Sequence, residues 1–392
     1  MKHVSILFSL LAFSLSAFAQ KFDYNVCGQY YFNNLEYDSS RSLYDQSHTM
    51  HSLRLTPSVG LLLPQNAHTF HRVTAGVDLL RNMGEGAPLK DMFQEVLLYY
   101  NLDSFFKNGG HFEAMAGCFP RSFAEGDYGG PFFDERRLFY DNNLEGLFLK
   151  YRNERIFAEV GLDWMGMFEF TVPDRRERFQ IFSAGDWNFA GCFHFDWTAV
   201  LYHYACSPSH INIVDNWMAN PRLRWSPATA LDCLDVTVGG LFTYQWDRNV
   251  DRTQVTPLGL YLTQALSKWN VHLENKWFLG DDLMPFYDRN FEGEPYGAEL
   301  YHGDKNFHTL HTGLSWHDRL DLRYARTISG FLEISAGFAF RFGTPVPEIQ
   351  CPVFRGWQQV VSVRIDLSSL RPAPSPVGKD RLPFFDFPKF IL

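Results

Sequence analysis

Past residue 20 the sequence has no uninterrupted apolar run of about 18 residues, so no membrane-spanning helix is expected. Positive charge is also short: 35 Lys and Arg stand against 44 Asp and Glu, a net charge of -9, and no basic stripe is visible. That excludes nucleic acid as the expected partner. Metal-ligand spacing is missing as well. His48 and His51, His68 and His71, and His308 and His311 each lie three apart, which on a strand puts the two rings on opposite faces. The acidic stretch containing Asp281, Asp282, Asp288, Glu292 and Glu294 has no calcium-loop spacing, and no nucleophile motif occurs. These gaps give the expectation of no metal, no cofactor and no enzymatic activity.

What is present begins with the N-terminus. Lys2 and His3 precede an apolar run from Val4 to about Phe18, closed by Ala17-Phe18-Ala19, which is the pattern of a signal peptide over 1–19 cut before Gln20. The chain is 46% hydrophobic and 17% aromatic, with 38 Phe. Six Cys in an exported chain permit disulfides. Cys27, Cys118, Cys192 and Cys233 fall within or at the ends of apparent strands and read as small packing residues. Cys206 and Cys351 fall in two loops on one side, which leaves a bridge between them open.

The apolar residues alternate with polar ones over long stretches. In GFLEISAGFAFRFG (330–343), Leu332, Ile334, Ala336, Phe338, Phe340 and Phe342 share one parity, while Glu333, Ser335 and Arg341 share the other. Side chains of a strand alternate between its two faces, so one face is apolar and the other carries charge. Roughly sixteen such segments occur, near 22–36, 51–63, 67–80, 91–102, 110–119, 143–152, 154–168, 177–187, 190–204, 219–226, 232–246, 255–266, 269–280, 307–326, 329–342 and 356–369. Connections after the even-numbered segments are short (64–67 or 327–328). Those after the odd-numbered ones are mostly long, including 37–50, 120–142, 205–218, 281–306 and 343–355. A soluble sandwich has no reason to sort loop length by side. An all-β, antiparallel up-and-down barrel over 20–370, with short periplasmic turns, long outer loops and lipid around its apolar parity, does. Two places fit poorly. Pro221 and Pro227 interrupt the tenth segment, and Asp318 falls on the lipid parity of the fourteenth, which calls for a bulge or exposure above the membrane.

In this architecture the chain resembles the sixteen-stranded porins of Gram-negative outer membranes. The third outer loop, FPRSFAEGDYGGPFFDERR (119–137), is similar to the inward-folded porin loop with its acidic, Gly-containing turn. The resemblance implies a constriction in which Glu125, Asp127, Asp134 and Glu135 face Arg54 and Arg72 across the lumen, with Arg341 and Arg364 also pointing inward. The longer loop 281–306 is an alternative plug. Charges of lumen parity are of both signs, which suits a weakly selective channel or a barrel braced by ion pairs. Two readings lead: passive passage of small polar solutes, or a non-conducting subunit of an envelope complex, with an enzyme inside the barrel as the third. The second draws on the tail 371–392, where Phe384, Phe385, Phe387 and Phe390 follow a Pro-rich break and offer a surface to a partner.

Overall fold

The computed structural model describes residues 21–37, 47–84, 88–309, 313–347 and 351–367. Sixteen long strands follow one another: β1 (Lys21–Tyr37), β2 (His48–Pro64), β3 (Thr69–Asn82), β4 (Phe93–Phe105), β5 (His111–Pro120), β6 (Asn143–Arg152), β7 (Ile156–Gly166), β8 (Arg178–Ala190), β9 (Phe193–Tyr204), β10 (Val214–Trp225), β11 (Cys233–Asp247), β12 (Leu258–Lys268), β13 (Val271–Gly280), β14 (Ser315–Ile328), β15 (Leu332–Gly343) and β16 (Phe354–Asp366). Each pairs antiparallel with its sequence neighbour, and β1 pairs with β16 from Cys27 opposite Asp366 to Tyr37 opposite Gly356, which closes the ring. Closure leaves no edge strand, so the wall's backbone groups pair across a continuous ladder even in hydrocarbon.

The period-two pattern is realised as a wall with an apolar outside. Leu53, Leu55, Val96, Leu98, Leu147, Leu149, Leu223, Val238, Leu260, Leu322 and Phe338 are exposed on the outer face. Their strand neighbours Ser52, Arg54, Thr74, Asn101, Lys150, Thr198, Arg222, Thr237 and Arg341 are buried inside. A band of exposed Leu and Val around a polar interior is the inverse of a soluble protein and requires lipid around it. The protein is therefore an integral barrel of the outer membrane. At one end the connections are tight. Trp269 and Asn270 both take positive φ (53° and 65°) in the two-residue turn after β12, which matches the twist of a hairpin. The other end carries the long loops.

Both misfitting places resolve without loss of register. β10 begins at Val214, five residues before the expected start, and it runs straight through Pro221. Pro221 has no N–H to give its partner on β11, and the Asn220 side chain donates to the Gly240 carbonyl at 2.9 Å in its place. β14 starts at Ser315, well after the expected residue 307, which ends a short 3-10 turn of the preceding loop. Asp318 needs no bulge in β14, whose pairing to β13 is continuous from Tyr324 to Ser315. It faces outward and accepts a hydrogen bond of 2.6 Å from Asn275 on the adjacent strand. The six cysteines are free, so the bridge left open between Cys206 and Cys351 is not formed. The signal-peptide segment and the tail with Phe384, Phe385, Phe387 and Phe390 lie outside the described residues.

The packed core sits inside the ring. Tyr128, Phe132 and Phe133 of the third outer loop (L3, 121–142) pack with Leu283, Met284 and Phe307 of the seventh (L7, 281–314). Inward-pointing Met115, Phe148, Phe182, Met218, Leu241, Tyr261 and Phe278 of the wall surround them. The loops also join by backbone hydrogen bonds, Asp304 N to Gly130 O at 2.8 Å and Asp134 N to His302 O at 2.7 Å. Both loops, which the sequence offered as alternatives, thus fill the lumen together.

Candidate functional site

The L3 acids pair with the wall against which they lie. Glu125 accepts from Lys150 Nζ at 3.0 Å and also contacts Arg152, both on β6. Asp127 accepts from Arg222 of β10 at 2.8 Å. The turn between these acids is held by Glu159 of β7, whose buried carboxylate accepts from the backbone N–H of Glu125 (2.9 Å) and Gly126 (2.8 Å). A buried carboxylate needs donors, and backbone amides of a folded-in loop supply them. Nothing in the spacing of Glu159 foretells this role.

Asp134 caps a short helix, α1 (Glu135–Tyr140), by accepting from Arg137 N at 2.9 Å. Glu135 contacts Arg319 and accepts from Gln358 Nε2 at 2.9 Å, while Gln358 Oε1 accepts from Arg341 at 2.7 Å. Of the expected set, the structure therefore brings Glu135 and Arg341 into one network. Arg54 and Arg72 do not face the L3 acids. Arg54 pairs with Asp78 of the next strand at 3.3 Å and donates to the Tyr140 carbonyl at 3.1 Å. Arg72 reaches over Gly60, which has no side chain to block it, and meets Asp23 at 3.4 Å. Arg364 lies near the short-turn end with Asp366 at 3.2 Å. Each L3 acid and each of these arginines thus lies next to an opposite charge or a hydrogen-bond donor or acceptor close to it, rather than facing its expected partner across the lumen.

At the L3–L7 junction, burial alone would raise the Asp304 carboxyl, but Arg341, His317 and Arg319 outweigh it and hold the carboxyl down at about 2. His302 is pushed well below its ordinary value by burial and by Arg137, Arg121 and Arg178.

The outer face carries a second constellation that the sequence did not flag. At the long-loop end of β9, His203 Nδ1 lies 2.6 Å from Asp215 Oδ1 at the start of β10. Arg248, just past β11, contacts the other oxygen of Asp215. An ionised carboxylate only accepts, so Nδ1 carries the proton in this contact, and Nε2 is the nitrogen that can act as a base whenever the ring is singly protonated. His203 and Asp215 alternate with inward-facing Tyr202, Tyr204, Val214 and Asn216, so they lie on the outer, lipid side of the wall, where neighbouring side chains bury Asp215 and leave His203 partly exposed. Stacked Trp164 and Phe179 (5.4 Å between centroids) and exposed Trp217 stand beside them. Such aromatics sit at the headgroup boundary. Four residues of the group come from four strands, so no contiguous motif could reveal it.

A closed, lipid-facing ring of sixteen antiparallel strands with a filled lumen defines an outer-membrane β-barrel of porin-like architecture. A family model described as Lipid A 3'-O-deacylase-type matches residues 15–307, and the chain belongs to that family. This corrects the expectation of no enzymatic activity: the family is one of enzymes, and the absence of a contiguous nucleophile motif does not exclude activity. No curated protein matches the chain. Among solved structures, a loop L8 deletion mutant of OmpT from Vibrio cholerae is similar at 10% identity and a TM-score of 0.50, covering 89% of this chain and 99% of that one. OprD from Pseudomonas aeruginosa is similar at 9% identity and a TM-score of 0.48, covering 90% and 95%. Likeness at such identity concerns the fold.

Proposed function

We propose that this barrel hydrolyses an acyl ester of lipid A in the outer leaflet, with His203 as general base. Nε2 of His203 takes a proton from water, the resulting hydroxide attacks the ester carbonyl, and the sugar oxygen leaves with the proton returned from His203 as the fatty acid departs. Water is the nucleophile because, among the described residues, no Ser or Thr hydroxyl is hydrogen-bonded to His203. Asp215, itself oriented by Arg248, keeps the ring in the required tautomer. The observation that carries the reading is the His203–Asp215 contact on the outer side of the wall, at its long-loop end and beside the Trp164–Phe179 stack. Membership of a lipid A deacylase-type family supports the choice of substrate.

The test is to mix the purified barrel with lipid A in detergent micelles and record its mass spectrum. Loss of one acyl group supports the reading, and an unchanged spectrum after prolonged incubation overturns it.

A second reading, passage of small polar solutes, is favoured by the charged lumen wall on the short-turn side of the plug. There Arg224 lies 2.9 Å from Asp196, and Lys276 lies 3.1 Å from Glu274. The apolar L3–L7 cluster opposes it. Steady open steps in a planar bilayer would support a channel.

A further inference from the structure

Two groups of metal-ligating side chains occur among the described residues. In one, Asp186, His194 and Asp196 converge, but the Arg224 guanidinium already lies among them, 2.9 Å from Asp196 Oδ2 and 3.0 Å from His194 Nδ1. That group supplies its own cation. In the other, ligand atoms of Glu95, Cys118 and Glu145 all lie within 4.8 Å of one another. Among the described residues no Lys or Arg comes within ion-pair distance of either carboxylate.

The backbone is irregular at this place, which is at the long-loop ends of β4, β5 and β6. The β3–β4 register shifts between Asp78 and Leu79, skipping Gln94 and re-aiming the start of β4. Gly117 and Gly146 pair directly beside Cys118 and Glu145, and a Cβ on Gly117 would stand 2.2 Å from the Leu98 carbonyl. The result gathers the two carboxyls and the thiol at one point of the rim.

A separate observation points the same way. Asn143 is more than nine-tenths buried, and its Nδ2 donates to Glu95 Oε2 at 2.7 Å and to Asp78 Oδ2 at 2.9 Å, which aims its amide at the group. Its Oδ1 and the Oδ1 of fully buried Asp78 have no donor. The surroundings are thus rich in acceptors, and the nearby cation, Arg54, is engaged by Asp78 rather than by the two glutamates.

We propose that Glu95, Cys118 and Glu145 bind a divalent cation of the zinc class. A thiolate with two carboxylates suits a borderline-soft ion, whereas calcium and magnesium take oxygen ligands alone. Binding releases the thiol proton to solvent, and exposed Glu145 gives the ion its way in.

The full chain, refolded in detergent and stripped with chelator, is dialysed against zinc chloride and its metal content measured. One zinc per chain is expected, and cobalt in its place should show a sulfur-to-metal charge-transfer band. Cys118→Ser should abolish that band, and Cys118→Ser or Glu145→Gln should weaken zinc binding by roughly ten-fold or more. Heat-modifiable gel migration reports whether each variant is folded. If Cys118→Ser does not fold, Glu145→Gln at its exposed position decides. Zinc well below one per chain, or equal zinc affinity in the folded variants, overturns the proposal. So does calcium uptake without zinc uptake.

Discussion

At the scale of single residues, the lipid-facing dyad makes the sharpest demand. His203→Gln removes the base and keeps a similar size; deacylation in the lipid A mass assay should fall by about 10²- to 10⁴-fold, the usual contribution of a general base. Asp215→Asn replaces an acceptor-only group by one that also presents N–H donors, so it no longer dictates the tautomer and should give a loss in the same direction. Both variants should keep heat-modifiable migration, because His203 and Asp215 lie at the rim, clear of the L3–L7 core. A dyad of purely structural use would leave the mass spectrum of the product unchanged. His203 and Asp215 stood in plain view in the sequence. What hid them is that their meeting depends on the β9–β10 register, with His203 opposite Asp215. By contrast Arg341 and Gln358 were readable as inward side chains from parity, and Glu135 from its loop's resemblance, yet nothing in the spacing told that Gln358 joins the other two. Alternation tells which face a side chain takes but not which neighbour it finds.

At the scale of elements, the L3–L7 junction governs the lumen. Gly303 lies so close to L3 that a Cβ there would meet the Pro131 carbonyl at 2.0 Å. Gly303→Val should therefore part the loops, and planar-bilayer recordings should show more open events than the parent; equal silence in both would mean that the loops do not limit passage. The same junction should respond to acid. His302 has its pKa depressed in the folded plug, so the loosened or unfolded form takes up the proton more readily. Its contribution to plug stability is full above the ordinary histidine value of about 6.5 and is lost as pH falls below it. Limited trypsin digestion at Arg289 and Lys305 of L7 should speed up as pH drops from about 7.5 toward 5.5, relative to a control substrate. His302→Phe should flatten that dependence. L3 was legible as an inward loop only by its resemblance to porins. The role of L7 was one of two options, since a long loop has no periodicity from which its destination can be read.

At the scale of the whole molecule, the claim is that hydrocarbon surrounds the ring. Leu98, near the middle of β4 and 58% exposed, tests it. Leu98→Arg should destabilise the folded barrel in lipid vesicles by about 2–4 kcal/mol, the range for a cation at the midplane of a barrel's lipid face. Reversible denaturant unfolding would measure it, and a change near zero would mean that water, not lipid, bathes that face.

The sequence by itself determined the barrel. Its alternation of apolar and polar residues has the period of the strand, so each segment declares its two faces, and loop lengths that alternate by side declare the direction of travel. It could not determine the sites. The dyad at His203, the grip of Glu159 on L3 and the Glu95–Cys118–Glu145 group each join residues from different strands or loops. Only strand register, a bulge and the inward fold of two loops bring such residues within a few ångströms, because hydrogen bonding and ligation act over contact distances that a pattern along the chain does not encode.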